Sequence, residues 1–565
     1  MRELDWAEAA GLSDLFRIVF TQCWEHVAFT EATGTEVRYE ELANTVEQLH
    51  QLFVRAGVRL GDRVALLGHN SAHWGVVYVA TIAYGAIVVP IPDSEKPKVI
   101  YQILEHSESK ILFVSEQFWE ALNEFRLSSL QAIICLQNWS ILNTVNTSLR
   151  EWEQRRLEFP VQDKSWLLER MSHYYSHTPE TPVVLAYTSG TTESPKGVLL
   201  AMRSLMLNVN YARKVIPLGV GDALVSVLPY SHIYGQVFDL LYGFVSGAHI
   251  YLLFSSPTLP AICEAFTRYR PCLIQMVPAL FERIFKSVIP TWWNLPLPHL
   301  LLSTPLLGDV FRKRLRVRLA KLFGNNFMTV VLGGTPLNPI IEDFLSFIGF
   351  RYSLGYGLTE SGALVAYRTV ASGKKRSVGI PVEGVEVAIR NVDSTGVGTI
   401  FIRGANLMLG YFENMVDSKA SFDEEGWFDT GDLGYVDKNN YLYVRGRREN
   451  VLSLEGGVLV SPEELESLMN TMPHVQDSLV VKRDDELVVL VQPTQEFSAR
   501  RRLSEAELFF LMERNRERVN SRQERRVQIA RVQIQYLPFE LTMKQNIRRK
   551  AYLEADLSKG HAEQI

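Results

Sequence analysis

The chain has 565 residues and a formal net charge of −5 at pH 7. This length exceeds what a single hydrophobic core supports, so at least two domains are expected. The acidic balance argues against a nucleic-acid-binding protein, and the charged and hydrophobic fractions are those of an ordinary soluble globular protein. The cysteines are widely spaced, which argues against a disulfide framework and a zinc site and favours a reducing compartment.

The chain carries no recognisable address for export or for the peroxisome. Its first residues include Glu3, Asp5 and Glu8, where a signal peptide needs positive charge. Its last residues, 561–565, lack the Ser-Lys-Leu ending. A cytoplasmic location is therefore expected.

One uncharged stretch, residues 74–92, is about long enough to cross a bilayer. It contains Gly85, Pro90 and Pro92, and a β-branched cluster lies at one end. This pattern predicts a buried helix, a glycine turn and a buried strand in place of a membrane span. At most, peripheral contact with a membrane is expected.

Helical and strand patterns alternate through the first half of the chain. A helical pattern runs from Tyr39 to about Ala56, a strand covers Val64–Leu67, and Asn70 or Ser71 is placed to cap the helix that follows. The alternation continues past residue 260. It predicts an α/β fold in which helices cover largely parallel sheets.

A hydroxyl- and glycine-rich stretch, residues 187–198, follows the apolar strand Pro182–Ala186. Glycine lets the backbone approach a ligand closely, and hydroxyl groups and a lysine can bind phosphate oxygens. A Walker A loop is excluded, because Pro195 precedes Lys196 and Gly197 follows it. From composition alone, a polar surface turn is the other interpretation.

The same stretch resembles the signature loop of the adenylate-forming (AMP-binding) superfamily, which includes acyl-CoA synthetases, fatty acyl-AMP ligases, adenylation domains of peptide synthetases and firefly-type luciferases. The resemblance implies that these residues bind the phosphates of ATP: Thr188, Ser189, Gly190, Thr191, Thr192 and Lys196. Thr188 is also expected to take part in catalysis. Glu193 departs from the pattern, because relatives carry glycine there, and its carboxylate would weaken phosphate binding unless a cation offsets it.

Three later segments match the superfamily in its order, namely residues 332–337, 355–361 and 427–433. The resemblance assigns the nucleotide contacts as follows: Gly333, Gly334 and Thr335 near the adenine, Tyr356 stacked on the base and followed by the flexible Gly357, Thr359 at the phosphate, and Asp432 at the ribose hydroxyls. Glu360 is expected to hold Mg²⁺ and to act in catalysis, because Mg²⁺ is commonly shared between carboxylates and substrate phosphates.

Three further features in the middle of the chain bear on the acid. Acyl-activating relatives carry an aromatic residue or histidine at the carboxylate end of the acyl pocket, which makes His232 a catalytic candidate; a half-buried structural histidine is the alternative. An amino-acid-activating relative binds the substrate amine through an aspartate near the position of Asp239, in a helix predicted over Gln236–Val245; a buried, paired aspartate is the alternative. Residues 275–284 resemble acyl-CoA synthetases and either line a hydrophobic slot or form core.

Residues 441–464 resemble the superfamily's hinge, particularly that of long-chain acyl-CoA synthetases. By this resemblance, residues 1–446 form a large AMP-binding domain and residues 447–565 form a small, mobile α+β lid domain. Glu449 would be the pivot, and Arg447 would contact the ribose of the nucleotide.

The C-terminal segment carries two candidates for a lysine that clamps carboxylate and phosphate during adenylation. Relatives end on a pattern like Pro-x-Thr-x-x-Gly-Lys-Ile-x-Arg. Aligning Ile547 and Arg549 on this pattern puts Asn546 at the lysine position, whereas aligning Thr542 keeps Lys544 as the catalytic residue after a two-residue shift. The second alignment is slightly favoured.

The resemblance therefore predicts an AMP-forming acid–thiol ligase similar to long-chain fatty acid–CoA ligases. Its expected ligands are ATP, Mg²⁺ and CoA as co-substrate, and its expected partners are a small carboxylic acid and either CoA or an acyl carrier protein. The alternatives are a carrier-protein ligase, an amino- or aryl-acid adenylating enzyme, and a catalytically impaired nucleotide- or acyl-binding homologue, which Glu193 and the uncertain lysine motivate.

Overall fold

The computed structural model describes these parts of the chain: residues 3–7, 9–123, 127, 129–144, 146–155, 163–188, 195–255, 257–288, 305–454, 459–494, 504–523, 527–540, 547 and 549–553. Within them, no helix combines the length and the apolar character that crossing a bilayer requires. The stretch weighed as a membrane span is instead a buried helix, Ala72–Tyr84, a turn at Gly85 with φ of 88°, and a buried strand, Ile87–Ile91. The prediction for this stretch is confirmed.

The α-helices of the described residues are α1 Leu12–Gln22, α2 Tyr39–Arg55, α3 Ala72–Tyr84, α4 Pro97–His106, α5 Glu116–Trp119, α6 Thr147–Arg155, α7 Lys164–Met171, α8 Met202–Val215, α9 Tyr242–Val245, α10 Leu259–Tyr269, α11 Pro278–Val288, α12 Pro305–Leu322, α13 Pro339–Ile348, α14 Met415–Ser421, α15 Pro462–Met469, α16 Glu505–Asn520 and α17 Lys550–Leu553. A π-helix, Gly235–Leu241, leads directly into α9.

The strands are β1 Val27–Thr30, β2 Glu36–Arg38, β3 Arg63–Leu67, β4 Ile87–Ile91, β5 Ile111–Val114, β6 Ala132–Cys135, β7 Ile141–Thr144, β8 Pro182–Thr188, β9 Lys196–Ala201, β10 Ala223–Val225, β11 His249–Tyr251, β12 Leu273–Met276, β13 Thr329–Gly333, β14 Tyr352–Tyr356, β15 Ala366–Arg368, β16 Ile380–Pro381, β17 Val385–Arg390, β18 Gly398–Gly404, β19 Gly410–Tyr411, β20 Phe428–Val436, β21 Leu442–Arg447, β22 Leu452–Ser453, β23 Leu459–Val460, β24 Val475–Arg483, β25 Glu486–Pro493 and β26 Ile529–Ile534.

Two large sheets form the body of the protein. The first has the order β19-β9-β8-β4-β3-β5-β6-β7, and its central strands β8, β4, β3, β5 and β6 run parallel. The second has the order β16-β15-β14-β13-β12-β10-β11-β1-β2, and the strands from β14 to β1 run parallel. The predicted α/β class with largely parallel sheets is confirmed, and antiparallel strands occupy the edges.

Three smaller sheets complete the described part of the fold, and one of them is the antiparallel pair β22-β23. An antiparallel sheet, β17-β18-β20-β21, follows the large sheets in the chain. The sheet β24-β25-β26 lies beyond it and packs with α15 and α16 around its own apolar core, which is the predicted α+β unit. This unit contacts the body through Lys286, whose Nζ donates to the Asn470 carbonyl at 2.7 Å, and through Asn338, which donates to the Ser467 hydroxyl at 3.1 Å.

The second large sheet separates two cores. One face packs into the main core with α1–α3, α8 and the π-helix. The other face packs against α10–α13 and forms a second core. This second core includes Ile274, Met276, Phe281, Ile284 and Val330. Alternate residues of β12, β13 and β14 therefore point in opposite directions.

The segment predicted as one helix over Gln236–Val245 is wound differently. The structure has a π-helix over Gly235–Leu241 and a short α-helix after it. A Cβ atom at Gly235 would lie 2.2 Å from the carbonyl oxygen of Pro229, so the start of the π-helix presses directly on the preceding loop. Hydrophobic periodicity does not distinguish the two windings, and π-helical turns occur frequently at functional sites.

Gly379 joins the second large sheet to the antiparallel sheet, because its carbonyl accepts from Leu442 N at 2.8 Å. We expect Gly379→Ala to lower the thermal midpoint well below that of Gly396→Ala. Both glycines have positive φ, 104° and 85°, which costs each variant about 1–3 kcal/mol. Only at Gly379 does the new Cβ also lie 2.0 Å from the Tyr367 backbone, which adds about 1–3 kcal/mol. Equal midpoints in differential scanning calorimetry would contradict this.

Candidate active site

A cavity of about 140 Å³ opens where β12, β13 and β14 end, between the second large sheet and the helices of the main core. The predicted adenine loop, residues 333–335, lines it, as do Gly357, Thr359 and His232. The structure thus brings together three predicted stretches that are distant in sequence. Among the described lining residues there is no aspartate, glutamate, lysine or arginine, and His232 is the only histidine.

One face of β12 and its extension forms a wall of the cavity. Leu273, Gln275 and Val277 line it, whereas Ile274 and Met276 point into the second core. This alternation is that of a strand buried on both faces. Residues 275–284 were predicted either to line a hydrophobic slot or to form core, and the structure shows both within this one segment.

The start of that segment lines the cavity and the remainder forms core. Phe281 and Ile284 on α11 are fully buried in the second core, with no exposed surface. Leu280 packs against the same core and is partly buried. The hydrophobic-slot interpretation thus holds for Gln275 and Val277 alone.

Missing side chains at the strand ends give the cavity its room. A Cβ on Gly333 would lie 3.3 Å from the Tyr234 ring, and a Cβ on Gly357 would lie 1.8 Å from the Ala363 carbonyl oxygen. Ala363 itself has φ of 115°, a strained conformation for a residue with a side chain. Glycine at position 357 is therefore required by the close approach of two backbone segments.

The loop that carries His232 is anchored by a residue considered only as a helix cap. Ser71 is the actual cap, accepting from Trp74 N at 3.0 Å. Asn70 instead donates to the Leu228 carbonyl at 2.7 Å and accepts from Tyr230 N at 2.8 Å. An asparagine just before a helix gave no signal that it would bind a loop about 160 residues away.

Asp239 holds the other end of this loop. Its carboxylate accepts from the Ser226 hydroxyl at 2.9 Å and from the backbone N–H groups of Val227 and Leu228 at 3.2 Å. Burial raises its pKa to about 7, although these hydrogen bonds act in the opposite direction. Asp239 is outside the cavity lining, so the buried, paired interpretation is confirmed and an amine-binding role loses its support.

Thr188 and Lys196 face each other across the antiparallel pair β8–β9. The Lys196 Nζ lies 2.6 Å from Asp417 Oδ2 and 5.3 Å from the centre of the Tyr411 ring. The Tyr411 hydroxyl donates to Glu360 Oε1 at 3.1 Å. Tyr411 therefore connects the predicted phosphate-binding lysine to the predicted metal ligand.

Neither Tyr411 nor Asp417 belongs to a motif that sequence analysis singled out. They lie on β19 and α14, and β19 pairs with β9 beside Lys196. Burial and the Glu360 carboxylate raise the pKa of Tyr411 above its usual range, so it remains a hydrogen-bond donor. Only the pairing of β9 with a strand more than 200 residues later reveals these contacts.

Asp432 lies at the centre of the predicted ribose site. The Tyr356 hydroxyl donates to its Oδ2 at 2.6 Å, and Arg447 Nε lies 2.9 Å from its Oδ1. Burial lowers the pKa of Arg447, but Asp432, Tyr356 and Glu360 together raise it above its usual value. Tyr356 and Arg447, the predicted base and ribose contacts, thus meet at the carboxylate of Asp432.

The donor set suits Mg²⁺ shared with a substrate. No group of three or more histidine, cysteine, aspartate or glutamate residues in the described part of the chain forms a metal cage. Glu360 presents a single carboxylate, with one oxygen bound by Tyr411. Mg²⁺ commonly takes one or two carboxylates and completes its shell with substrate phosphates and water.

Several predicted residues lie outside the described residues. These are Ser189, Gly190, Thr191, Thr192, Glu193, Lys544 and Asn546. The chain on both sides of the last two is described: Phe539 packs on Tyr552 with ring centres 5.3 Å apart, and Arg549 donates to Glu466 at 2.8 Å.

Comparison with known proteins identifies relatives of this arrangement. The model of the AMP-binding enzyme family matches residues 16–412. A long-chain-fatty-acid–CoA ligase of Mycobacterium bovis is 26% identical over 475 residues, which cover 80% of this chain and 76% of that protein.

Solved structures share the fold. The anthranilate CoA ligase AuaEII in complex with anthranoyl-AMP superimposes with a TM-score of 0.76 at 20% identity, covering 95% of this chain and 96% of that one. The o-succinylbenzoate CoA synthetase of Bacillus subtilis, bound to ATP and a magnesium ion, gives a TM-score of 0.71 at 19% identity, with coverage of 95% and 98%.

We expect Asp432→Asn to weaken ATP binding about tenfold to a hundredfold in isothermal titration calorimetry, because a hydrogen bond to a charged group contributes about 1.5–3 kcal/mol. Dideoxy-ATP, which lacks the ribose hydroxyls, should bind the wild type and the variant alike. Glu386→Gln removes an exposed ion pair with Arg403 in the same antiparallel sheet and serves as the control. An unchanged ATP affinity in Asp432→Asn would refute the ribose assignment.

The buried carboxyl of Asp239 should make stability depend on pH. Its folded pKa, about 7, lies above the ordinary pKa of an aspartate, so its contribution to stability is fully present below about pH 4 and is lost as the pH rises through about 7. We expect Asp239→Asn to flatten the fall in thermal midpoint between about pH 5 and pH 8. Asp393→Asn, at an exposed turn carboxylate, should retain the wild-type slope.

Proposed function

The chain belongs to the AMP-binding enzyme family of acid-activating, AMP-forming ligases, and on that premise we propose that it activates a carboxylic acid with Mg²⁺ and ATP and transfers the acyl group to CoA. The acid is an organic acid of the fatty type. The Mycobacterium bovis relative, named for long-chain fatty acids, supports this choice.

One observation carries the proposal. An apolar cavity begins at the predicted adenine and phosphate residues, 333–335 and Thr359, and continues inward beside His232. A nucleotide bound at that entrance would have its α-phosphate close to the head of an acid lying in the cavity. Binding two reactants in one space converts a bimolecular step into an effectively unimolecular one.

In the first step, a carboxylate oxygen of the acid attacks the α-phosphorus of ATP. The new O–P bond forms as the bond to the pyrophosphate leaving group breaks, which gives an acyl-AMP. Lys196 and Thr188 would bind the phosphates, and Lys196 would exchange its present partner, Asp417, for them. A lysine offers a point charge and three donors for this purpose.

Glu360 would hold Mg²⁺, which neutralises charge on the phosphates when it is bound. Tyr356, Asp432 and Arg447 would hold the base and ribose in place. His232 would lie beside the acid carboxylate. In the second step, the CoA sulfur attacks the acyl carbon, and AMP leaves with the electron pair of the broken C–O bond.

The division at residues 446 and 447, with Glu449 as pivot, is part of the proposal. Arg447 ends β21, Glu449 lies in the 3₁₀ turn Arg448–Asn450, and the Arg448 guanidinium reaches Asp429 at 3.0 Å. The α+β unit meets the body through an exposed ion pair, Arg445 with Glu464 at 3.0 Å, and through the hydrogen bonds at Asn470 and Ser467. Exposed ion pairs contribute little free energy, so this pair does not lock the two parts together. Rotation about a hinge is a known mode of conformational change.

An aryl acid is the second candidate substrate. The cavity includes the rings of Tyr234 and Phe238, and aromatic side chains pack well against an aromatic ligand. The anthranilate CoA ligase of similar fold is named for such an acid. An acyl carrier protein is the alternative acceptor to CoA, and an impaired homologue is an outcome of the experiment below.

The catalytic lysine can be assigned by mutation. We expect Lys544→Ala to lower the rate of acyl-AMP formation about a hundredfold or more, because preorganised charge contributes on this scale. Asn546→Ala should retain most of the rate. Pyrophosphate release is the measurement, with a panel of fatty and aryl acids, with and without CoA. The opposite ranking of the two variants would assign the lysine position to residue 546, and ATP binding without release on any acid would indicate an impaired homologue.

A further inference from the structure

Gln275 is the polar exception on the sheet wall of the cavity. It is 4% exposed, and its Nε2 donates to the Phe238 carbonyl at 3.0 Å, which fixes the orientation of the amide. Its Oε1 accepts no hydrogen bond within the described residues. A buried amide oxygen without a donor destabilises the empty cavity.

Two tyrosine hydroxyls of the cavity lining have hydrogen-bond partners. The Tyr234 hydroxyl donates to the Val331 carbonyl at 3.3 Å, and the Tyr242 hydroxyl donates to the Ile216 carbonyl at 2.5 Å. Across the cavity lining that the structure describes, Gln275 alone has a fully buried side-chain polar atom that lacks a partner. An occupant that supplies a donor at this point would recover the lost hydrogen bond.

The charge of the cavity limits what that donor can be. Neither aspartate nor glutamate is among the described lining residues, and Asp239 is bound to the loop at Ser226–Leu228. A buried ammonium group without a counter-ion is costly. A hydroxyl or amide N–H is therefore the donor that suits this cavity.

The size and depth of the cavity limit the acid further. A volume of about 140 Å³ is close to that of apolar cavities of about 150 Å³ that bind benzene. Gln275 lies two residues inward from Val277, or about 6.6 Å along the strand. The donor should therefore be several bonds away from the carboxylate, which enters from the nucleotide side.

We propose that the acid is compact, close in size to a ring or a six-carbon chain, that it carries a neutral hydrogen-bond donor remote from the carboxylate, and that Gln275 is the residue that selects it. This inference rests on the proposed function and narrows it. It makes Gln275 a specificity-determining residue and hydroxylated acids the preferred substrate class.

The test compares matched acids with the full-length chain, ATP and Mg²⁺. Hexanoate is paired with its terminally hydroxylated counterpart, and benzoate with its meta- and para-hydroxy derivatives. In pyrophosphate release, kcat/KM should favour the hydroxylated member of at least one pair about tenfold, the ratio that corresponds to a single recovered hydrogen bond.

Two glutamines provide a matched pair of variants. Gln275→Met should reduce the hydroxyl preference to about one, mainly through a higher KM for the hydroxylated acid. Gln236 is equally buried and also has an unpartnered Oε1, but it is absent from the cavity lining. Gln236→Met should therefore keep the wild-type preference.

Each remaining outcome is decisive. Equal or better turnover of every unsubstituted acid by the wild type overturns the proposal without any variant, as does a preference that survives in Gln275→Met or falls equally in both variants. If no acid releases pyrophosphate, the proposed function fails. Calorimetric binding of the same pairs to the wild type then decides the selectivity of the cavity separately.

Discussion

The site depends on a contact between two backbone segments. Gly357 passes so close to the Ala363 carbonyl that no Cβ fits between them, and this contact shapes the turn that contains Thr359 and Glu360. Met408 N donates to the Glu360 carbonyl at 2.8 Å, and Asn208 donates to the Gly362 carbonyl at 2.8 Å, so the turn is held from two other parts of the fold.

From this turn, contacts extend in three directions. Tyr356 donates a hydrogen bond to Asp432 on the antiparallel sheet. Glu360 accepts one from Tyr411 on β19, the edge strand of the first large sheet, and Thr359 lines the cavity at the second large sheet. The cations at the site are paired in this structure: Lys196 with Asp417, and Arg447 with Asp432. Binding of a polyanion at Lys196 therefore exchanges one charged partner for another, which costs less than desolvating an unpaired ammonium group.

Sequence analysis predicted the parts of the fold that depend on local pattern. The helix that begins at Tyr39, the buried helix and strand on either side of Gly85, and the parallel sheets followed from periodicity and turn residues. The π-helical winding around Asp239 did not, because apolar residues at these positions fit either winding. The domain boundary, the catalytic lysine, the metal and the cellular location stay predictions.

For the site, residues in family motifs were predicted and residues that support them were missed. The structure places Gly333, Thr335 and Thr359 around one cavity and joins Tyr356 to Asp432. Asn70, Tyr411 and Asp417 act through contacts between distant segments, and single residues outside motifs carry no signal of such contacts. Gln275 lay in a segment that the sequence singled out, but its buried amide oxygen without a partner was visible only in the structure. Three-dimensional pairing was needed to find them.

Substitutions on the two faces of β12 should have different effects on the protein. Ile274 and Met276 belong to the second core, whereas Gln275 and Val277 face the cavity. Leu273 lines the cavity and also packs in the main core. Under the proposed function, substitutions at Gln275 and Val277 would change which acyl group fits without altering the packing of the second core. Residues that stabilise the sheet and residues that would contact the substrate thus alternate along β12. Evolution or protein engineering could therefore change the substrate preference at Gln275 and Val277 while the second core stays as it is.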